Sequence, residues 1–155
     1  MCSNNVPESG RMTRPDVPET DRDALIQAAL DALPNAYAPY SRFTVAAACR
    51  MGSGRIYTGV NVENASYPAG ICAERNALFH AAAEGERKLV AIAIVGGPEY
   101  TANEICAPCG ICRQVMREFA DPAECAVILA TADGSYKEYT LEQLLPESFG
   151  PEMLK

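Results

Sequence analysis

The sequence lacks any long apolar run and any concentration of basic residues. No run approaches the roughly 18 apolar residues that a membrane-spanning helix needs. Residues 1–19 lack the continuous apolar stretch of a signal peptide, so we expect a cytoplasmic protein with no membrane partner. The net charge is -7, and lysine and arginine are scattered along the chain. Such a surface repels a phosphate backbone, so we expect a small-molecule partner and no nucleic-acid partner.

The sequence also has a single histidine, and its cysteines are odd in number. His80 falls on a predicted helix in no recognisable nucleophile context, which leaves Ser-His-Asp chemistry without support. Seven cysteines in a chain expected in the cytoplasm indicate free thiols and metal binding rather than a disulfide framework. Cys49 and Cys125 adjoin apolar runs, so we interpret both as small buried residues of strands.

The chain of 155 residues has the length of one domain. Residues 1–19 are rich in proline and polar residues without periodicity, and are predicted to be a flexible tail. Residues 20–155 form the predicted domain. Its first helix should begin at Thr20, because Thr20 and Asp23 resemble a capping box.

Apolar periodicity and turn residues predict alternating helices and strands. Helices are predicted over 20–33, 72–84, 109–119 and 141–145, and strands over 43–50, 55–60, 89–95, 126–130 and 136–139. Pro108 suits the first turn of the third helix. This order predicts an α/β fold, a single-domain α/β/α sandwich with a five-stranded mixed sheet.

Two short motifs supply three thiolates and one carboxylate, each where a helix should begin. They are Cys-Ala-Glu-Arg at 72–75 and Pro-Cys-Gly-Ile-Cys at 108–112. Cys72, Cys109 and Cys112 can hold a tetrahedral Zn²⁺ and leave its fourth position open for water, as a catalytic zinc site requires. Glu74 follows the first cysteine by two residues, which puts its carboxylate close to that open position.

Three thiolates around a divalent ion leave a net charge near -1, which weakens the ion as a Lewis acid. Arg75 could donate to the sulfurs and withdraw this charge. The alternative interpretation makes Arg75 a solvated helix residue.

A competing interpretation adds Cys106 to the three cysteines. A closed four-cysteine site would make the protein a structural zinc module without chemistry. Cys106 precedes Pro108 on the loop side of the predicted helix start, so its side chain would have to fold back to reach the ion.

From about residue 36 to residue 154 the sequence resembles the small, three-cysteine cytidine deaminases. The resemblance rests on both cysteine motifs, which match the Cys-x-Glu and Pro-Cys-x-x-Cys pattern of zinc deaminases. It also rests on Ala-Pro-Tyr-Ser-Arg-Phe at 38–43, Asn-Val-Glu-Asn-Ala at 61–65 and the segment at 142–151.

The resemblance implies hydrolytic deamination of cytidine and deoxycytidine to uridine and deoxyuridine plus ammonia, as in pyrimidine salvage, with one Zn²⁺ per chain. Glu74 is the implied catalytic residue, moving protons between the attacking water, ring nitrogen 3 and the departing amine. A related nucleoside such as blasticidin S is the alternative substrate, although the segment at 61–65 favours a plain nucleoside.

The resemblance also implies how substrate is bound. Asn61 and Glu63 would bind the ribose hydroxyls, since an amide and a carboxylate can hydrogen-bond two hydroxyls of one sugar. Phe43 would pack on the base, and backbone groups at Ala73 and Ala107 would read its polar edge. Tyr67 completes the implied set.

Finally, the resemblance implies a homotetramer whose neighbouring chains close each pocket. Phe149 would cover the base bound by an adjacent subunit. The alternative interpretation of Phe149 is a hydrophobic plug that docks the C-terminal segment on its own domain.

Overall fold

The computed structural model describes residues 17–155. These residues form four helices and five strands: α1 (Glu19–Ala32), β1 (Phe43–Met51), β2 (Ile56–Val60), α2 (Ala73–Ala83), β3 (Leu89–Pro98), α3 (Gly110–Phe119), β4 (Ala126–Ala130), β5 (Tyr136–Thr140) and α4 (Leu141–Leu144). Short 3₁₀ turns lie at Leu33–Asn35, Tyr67–Ala69 and Pro151–Leu154. No helix among the described residues is long and apolar enough to cross a membrane.

The five strands form one mixed sheet in the order β2-β1-β3-β4-β5. β1 is antiparallel to both β2 and β3, and β4 is antiparallel to β5. β3 and β4 are parallel, so the chain must cross over between them, and α3 provides that crossover. The predicted α/β fold with a five-stranded mixed sheet is confirmed.

Helices cover both faces of the sheet, as the alternating side chains of β1 show. Ala46 and Ala48 point into a core with Leu25 of α1, whereas Ala47 and Cys49 point into a core with residues of α2 and α3. Successive side chains of a strand face opposite sides, so one strand serves both cores. β4 is buried along its whole length, as expected for a strand covered on both faces.

The two cysteines assigned to the interior are buried. Cys49 is 0% and Cys125 is 1% exposed. Burial raises the pKa of each thiol to about 12, so both remain neutral apolar side chains. Their predicted role as packing residues is confirmed.

The starts of α1 and α3 differ from their predictions. α1 begins at Glu19 after Pro18, and no side chain caps it, so the proposed Thr20 cap is wrong. Instead Thr140 and Gln143 form a reciprocal capping box at α4. Pro108 lies one residue before Cys109, the N-cap of α3, and so outside the first turn. Most of the predicted tail at 1–19 lies outside the described residues.

The start of α2 is held close to the sheet by Gly59 of β2. A Cβ atom at this position would lie 2.3 Å from the Ala77 nitrogen and 2.6 Å from the Ala73 carbonyl oxygen. Only a residue without a side chain permits this approach. The contact fixes the N-terminal end of α2 against β2.

Candidate active site

The N-termini of α2 and α3 bring three cysteines together. Cys72 is the N-cap of α2 and Cys109 is the N-cap of α3, while Cys112 lies in the first turn of α3. Neither N-cap side chain bonds the backbone of its helix, so both sulfurs stay available. The three sulfur atoms lie within 4.8 Å of one another. Both helix ends favour negative charge at the cluster.

The sulfur geometry fits a zinc ion. Sulfurs bound to one tetrahedral Zn²⁺ at about 2.3 Å stand roughly 3.8 Å apart. The Cys72 and Cys109 sulfurs are 3.9 Å apart. Three thiol donors at this spacing suit a soft-to-borderline metal, and the cluster fits one zinc ion per chain.

The pKa values of the cysteine thiols in the cluster also favour binding of a cation. Hydrogen bonds from Cys112, Arg75 and Cys109 lower the pKa of the Cys72 thiol to about 5. The contact with Cys72, together with burial, raises the pKa of Cys112. Adjacent thiolates repel one another, so ionisation of one thiol disfavours ionisation of the thiol beside it. A divalent ion bound between the sulfurs removes this repulsion.

Arg75 lies where the charge argument requires it. Its Nη2 atom donates to the Cys72 sulfur at 3.6 Å. Its Nε atom is buried and has no hydrogen-bond partner among the described residues. The guanidinium group therefore faces the sulfurs, which favours charge withdrawal over the solvated alternative.

Glu74 is a buried carboxyl beside the sulfur cluster, with 4% of its surface exposed. Burial raises the pKa of Glu74, and the charge on Cys72 adds to the effect. A carboxyl whose pKa is raised towards neutrality can both accept and donate a proton. The environment of Glu74 therefore suits proton transfer.

Cys106 lies outside the sulfur cluster. Among residues 17–155, the cysteines close enough to share an ion are Cys72, Cys109 and Cys112. Cys106 packs instead beside Gly96, where a Cβ atom would lie 3.2 Å from its sulfur. Burial raises the pKa of the Cys106 thiol to about 11, which disfavours the thiolate that a metal requires. The geometry gives the closed four-cysteine alternative no support.

A cavity of about 650 Å³ opens beside the cluster, within the size range of small-molecule sites. Its lining includes Cys72, Cys109 and Glu74, together with the expected substrate residues Asn61, Glu63, Tyr67, Ala73 and Ala107. Two expected substrate residues are placed differently. Within the described chain, Phe43 and Phe149 do not line this cavity, and they are 37% and 55% exposed.

Strand β1 and the loop before it orient the two polar side chains expected at the sugar. Asn61 accepts a hydrogen bond from the Val45 amide at 2.8 Å and donates to the Phe43 carbonyl at 2.9 Å. The Oε2 atom of Glu63 accepts from the amides of Tyr40 and Ser41 at 2.9 and 3.2 Å.

These bonds leave capacity for a ligand, since Asn61 has a second amide hydrogen and the Glu63 carboxylate has about four lone-pair sites. A side-chain hydrogen bond from Ser41, together with the two backbone amides, lowers the pKa of Glu63. The carboxylate is thereby held ionised.

Sequence reasoning missed the residues that orient this site. The roles of Tyr40 and Ser41 were not predicted, although both belong to the segment at 38–43 that carries the family resemblance. Arg113 was missed as well. Its guanidinium donates to the Pro108 carbonyl at 2.9 Å and to the Leu144 carbonyl at 2.7 Å, which ties the loop before Cys109 to the end of α4.

Residues 19–129 match the family model described as the cytidine and deoxycytidylate deaminase zinc-binding region. The chain belongs to this family. The cytidine deaminase of Halalkalibacterium halodurans is 47% identical over 132 residues, which cover 85% of this chain and 96% of the relative.

Solved structures of the family resemble this one. The crystal structure of cytidine deaminase from Burkholderia pseudomallei has a TM-score of 0.74 at 46% identity and covers 82% of this chain and 98% of its own. That of cytidine deaminase from Mycobacterium tuberculosis has a TM-score of 0.72 at 37% identity and covers 87% of this chain and 99% of its own. The fold and the three-cysteine cluster therefore agree with membership of this family.

Proposed function

We propose that the protein is a cytidine deaminase that hydrolyses cytidine and deoxycytidine to uridine and deoxyuridine with release of ammonia, as in pyrimidine salvage. The observation that carries this proposal is the position of the three-cysteine cluster. Cys72 and Cys109 of this cluster line the cavity of about 650 Å³, together with the buried carboxyl of Glu74. Family membership supports the same reaction.

Cys72, Cys109 and Cys112 would hold the zinc ion. An ion with three protein ligands keeps one position open and, when bound, acidifies the attacking water. Arg75, which donates to the Cys72 sulfur, would offset part of the negative charge of the sulfurs. This role preserves the ion as a Lewis acid.

Glu74 is the proposed catalytic residue. Its carboxylate accepts a proton from the attacking water and delivers it to nitrogen 3 of the cytosine ring. The carboxylate next takes the proton of the new hydroxyl group on carbon 4 and passes it to the departing amine, which leaves as ammonia while the oxygen stays on carbon 4. The burial that raises the pKa of Glu74 also limits exchange of these protons with bulk water.

Polar groups on one side of the cavity would hold the sugar. We expect the Glu63 carboxylate and the second amide hydrogen of Asn61 to bind the two ribose hydroxyls. Tyr67 stands at the cavity with its ring centroid 6.1 Å from that of Tyr40. Backbone groups at Ala73 and Ala107 are proposed to read the polar edge of the base.

Two phenylalanines are proposed to enclose the base, although neither lines the cavity of the single chain. Phe43 is adjacent to the sugar site, because Asn61 donates to its carbonyl. Phe149 is more than half exposed, which favours contact with another subunit over docking on its own domain.

We propose that the protein works as a homotetramer in the cytoplasm, with residues 20–155 as the catalytic domain. Tyr67, which lines the cavity, is 77% exposed. A neighbouring chain that covers this side would exclude water from the site, which strengthens its electrostatic interactions.

The test is loss of ultraviolet absorbance when purified protein is incubated with cytidine, deoxycytidine or blasticidin S, with zinc content measured in parallel. We expect turnover of both cytosine nucleosides with one zinc per chain. Turnover of blasticidin S alone would assign a different substrate. Bound zinc without ammonia release from any of the three would identify a structural zinc module.

A further inference from the structure

A buried arginine of α3 holds the C-terminal segment, residues 145–155. Arg117 is 8% exposed. Its Nε atom donates to the Ser148 hydroxyl at 3.0 Å, and its Nη2 atom pairs with the Glu152 carboxylate. Both partners belong to the C-terminal segment, so one guanidinium group binds it at two points. Arginine suits this role because its donors point in fixed directions from one plane.

The backbone of the C-terminal segment also lies directly against this guanidinium group. A Cβ atom on Gly150 would lie 2.2 Å from Nη2 and 2.3 Å from Cζ of Arg117. Gly150 has an extended backbone, so the glycine is required for space and not for conformation. Arg117 thus contacts the segment at Ser148, Gly150 and Glu152.

Phe149 lies between the first two of these contacts. The Gln114 side chain donates to the Phe149 carbonyl oxygen at 3.0 Å, which adds a further restraint on the same segment. The Phe149 side chain nevertheless is 55% exposed. The structure therefore fixes the backbone of Phe149 and leaves its ring at the surface. A ring held in this way loses little conformational entropy when it meets a partner.

The helix that restrains Phe149 also carries part of the metal cluster. Cys112 lies in the first turn of α3 and Cys109 is its N-cap, while Gln114 and Arg117 follow on the same ten-residue helix. A helix rises about 1.5 Å per residue with little freedom to stretch. The position of Phe149 is therefore set relative to the cysteine cluster of its own chain.

We propose that Arg117 is a positioning residue for the deamination reaction. Its contacts with Ser148, Gly150 and Glu152 hold the backbone around Phe149, so that the ring is presented to the base bound by a neighbouring copy of the chain. This inference rests on the proposed function, because it requires a bound base for the ring to cover. Arg117 itself touches no substrate.

A double-mutant cycle between Arg117 and Phe149 tests the proposal. Wild type, Arg117→Ala, Phe149→Ala and the double variant are compared by kcat, KM and zinc content. Loss of an aromatic stack on a base lowers kcat/KM about ten- to a hundred-fold, and we expect Phe149→Ala to do so mainly through KM. Arg117→Ala should approach this loss with zinc retained, and Arg117→Lys should recover part of it.

The decisive comparison is the double variant. If Arg117 acts through Phe149, removing it from the Phe149→Ala chain should change kcat/KM by less than about two-fold. If the two losses multiply, or if Arg117→Ala leaves kcat/KM unchanged, the proposal is overturned. A wild-type protein that does not deaminate cytidine would overturn the proposed function itself, and the inference with it.

A second pair of changes avoids emptying the buried arginine site. Ser148→Ala with Glu152→Ala removes both hydrogen-bond partners while Arg117 stays in place. We expect a rise in KM that disappears in the Phe149→Ala background, and persistence of that rise would overturn the proposal. Asp21→Asn is the matched control, because it breaks an ion pair with Arg50 on the opposite side of the fold and should leave KM unchanged.

Discussion

At the scale of single residues, the chemistry of Glu74 comes from two opposing influences. The N-terminal end of α2 favours a charged carboxylate in its first turn. Burial to 4% exposure disfavours that charge, and burial is the larger influence, so the pKa of Glu74 rises. The same carboxyl can then accept and return a proton within one reaction cycle.

Replacing Glu74 with glutamine should separate proton transfer from metal binding. A neutral amide fills the same space but cannot shuttle protons, so we expect zinc content to stay at one per chain while kcat falls. General acid–base catalysis is commonly worth about a hundred- to ten-thousand-fold, and one group serves several steps here. Glu84→Gln, at the exposed end of the same helix, is the control. Near-wild-type turnover by Glu74→Gln would refute the proposed mechanism.

The cysteines should divide into ligands and packing residues. Cys106→Ser should keep one zinc and substantial activity, because the Cys106 sulfur lies outside the cluster. Cys109→Ser should lose the metal or the fold, since its sulfur lies 3.9 Å from that of Cys72. Zinc analysis of both purified variants decides the matter. Loss of zinc from Cys106→Ser would instead support a four-cysteine site.

Glu63 should affect substrate binding without affecting the metal. Glu63→Ala removes the proposed contact with the sugar, and a lost hydrogen bond to a charged group corresponds to roughly a ten- to hundred-fold rise in KM. It also leaves the amides of Tyr40 and Ser41 without their acceptor. Glu63→Gln retains an acceptor for them and so isolates the loss of charge. If KM for cytidine is unchanged in both variants, the sugar is bound elsewhere.

At the scale of elements, the bounds of a strand could be predicted from the sequence where the strand is buried along its whole length. β4 was predicted at its observed bounds, because a fully buried strand shows as an unbroken apolar run. β3 was predicted to end at Val95 but continues to Pro98. Gly96 and Gly97 there pair with Val45 and Thr44 of β1. Glycines that resemble a turn in sequence can therefore extend a strand when the partner strand is long enough.

The first residues of the helices were less predictable, because more than one nearby residue can form the hydrogen bonds that cap a helix. Thr20 and Thr140 each stand three residues before a polar residue that could complete a capping box. Thr140 is the one that caps a helix, at the junction of β5 and α4. α1 begins before Thr20, after Pro18, so the threonine lies in the first turn of the helix. Spacing alone did not distinguish the two.

Gly59 affects both the packing of α2 on β2 and the position of the cysteine cluster at the start of α2. A Cβ atom there would strike the backbone of α2 at Ala73 and Ala77, and backbone cannot yield as a flexible side chain can. We expect Gly59→Ala to lower the free energy of unfolding by about 1–3 kcal/mol or more and to weaken zinc binding by displacing the start of α2.

Thermal unfolding and zinc titration measure these two effects. Gly52→Ala is the comparison, because its nearest neighbours are side-chain atoms of Lys88. Equal stability of the two variants would contradict the packing argument.

At the scale of the whole molecule, residue type and motif spacing were sufficient to predict the cysteine cluster and Glu74. Each belongs to a contiguous motif at the start of a helix, so local geometry determines most of the arrangement. Phe43 and Phe149 are different, since their roles came from resemblance and neither lines the cavity of one chain. Contacts of an exposed side chain with another subunit leave no periodic or local signal in the sequence, so assembly has to be tested directly.

Subunit mixing tests the assembly and the role of Phe149 together. Sedimentation should show a tetramer, as most closed assemblies of identical chains are symmetric. Phe149→Ala chains and Glu74→Gln chains are each expected to be impaired, and they are then mixed under conditions that exchange subunits. If Phe149 serves a neighbouring site, about a quarter of the sites in a random equal mixture combine an intact Glu74 with an intact Phe149.

Activity should therefore rise above the average of the two parents. If Phe149 acts within its own chain, every site still lacks one of the two residues, and mixing produces no gain. A size tag on one parent shows whether mixed tetramers have formed. It therefore distinguishes a failure to exchange subunits from a failure of the mixed tetramers to regain activity. A monomer in sedimentation, or verified mixed tetramers with only the average activity, would contradict the role of Phe149 at a neighbouring site.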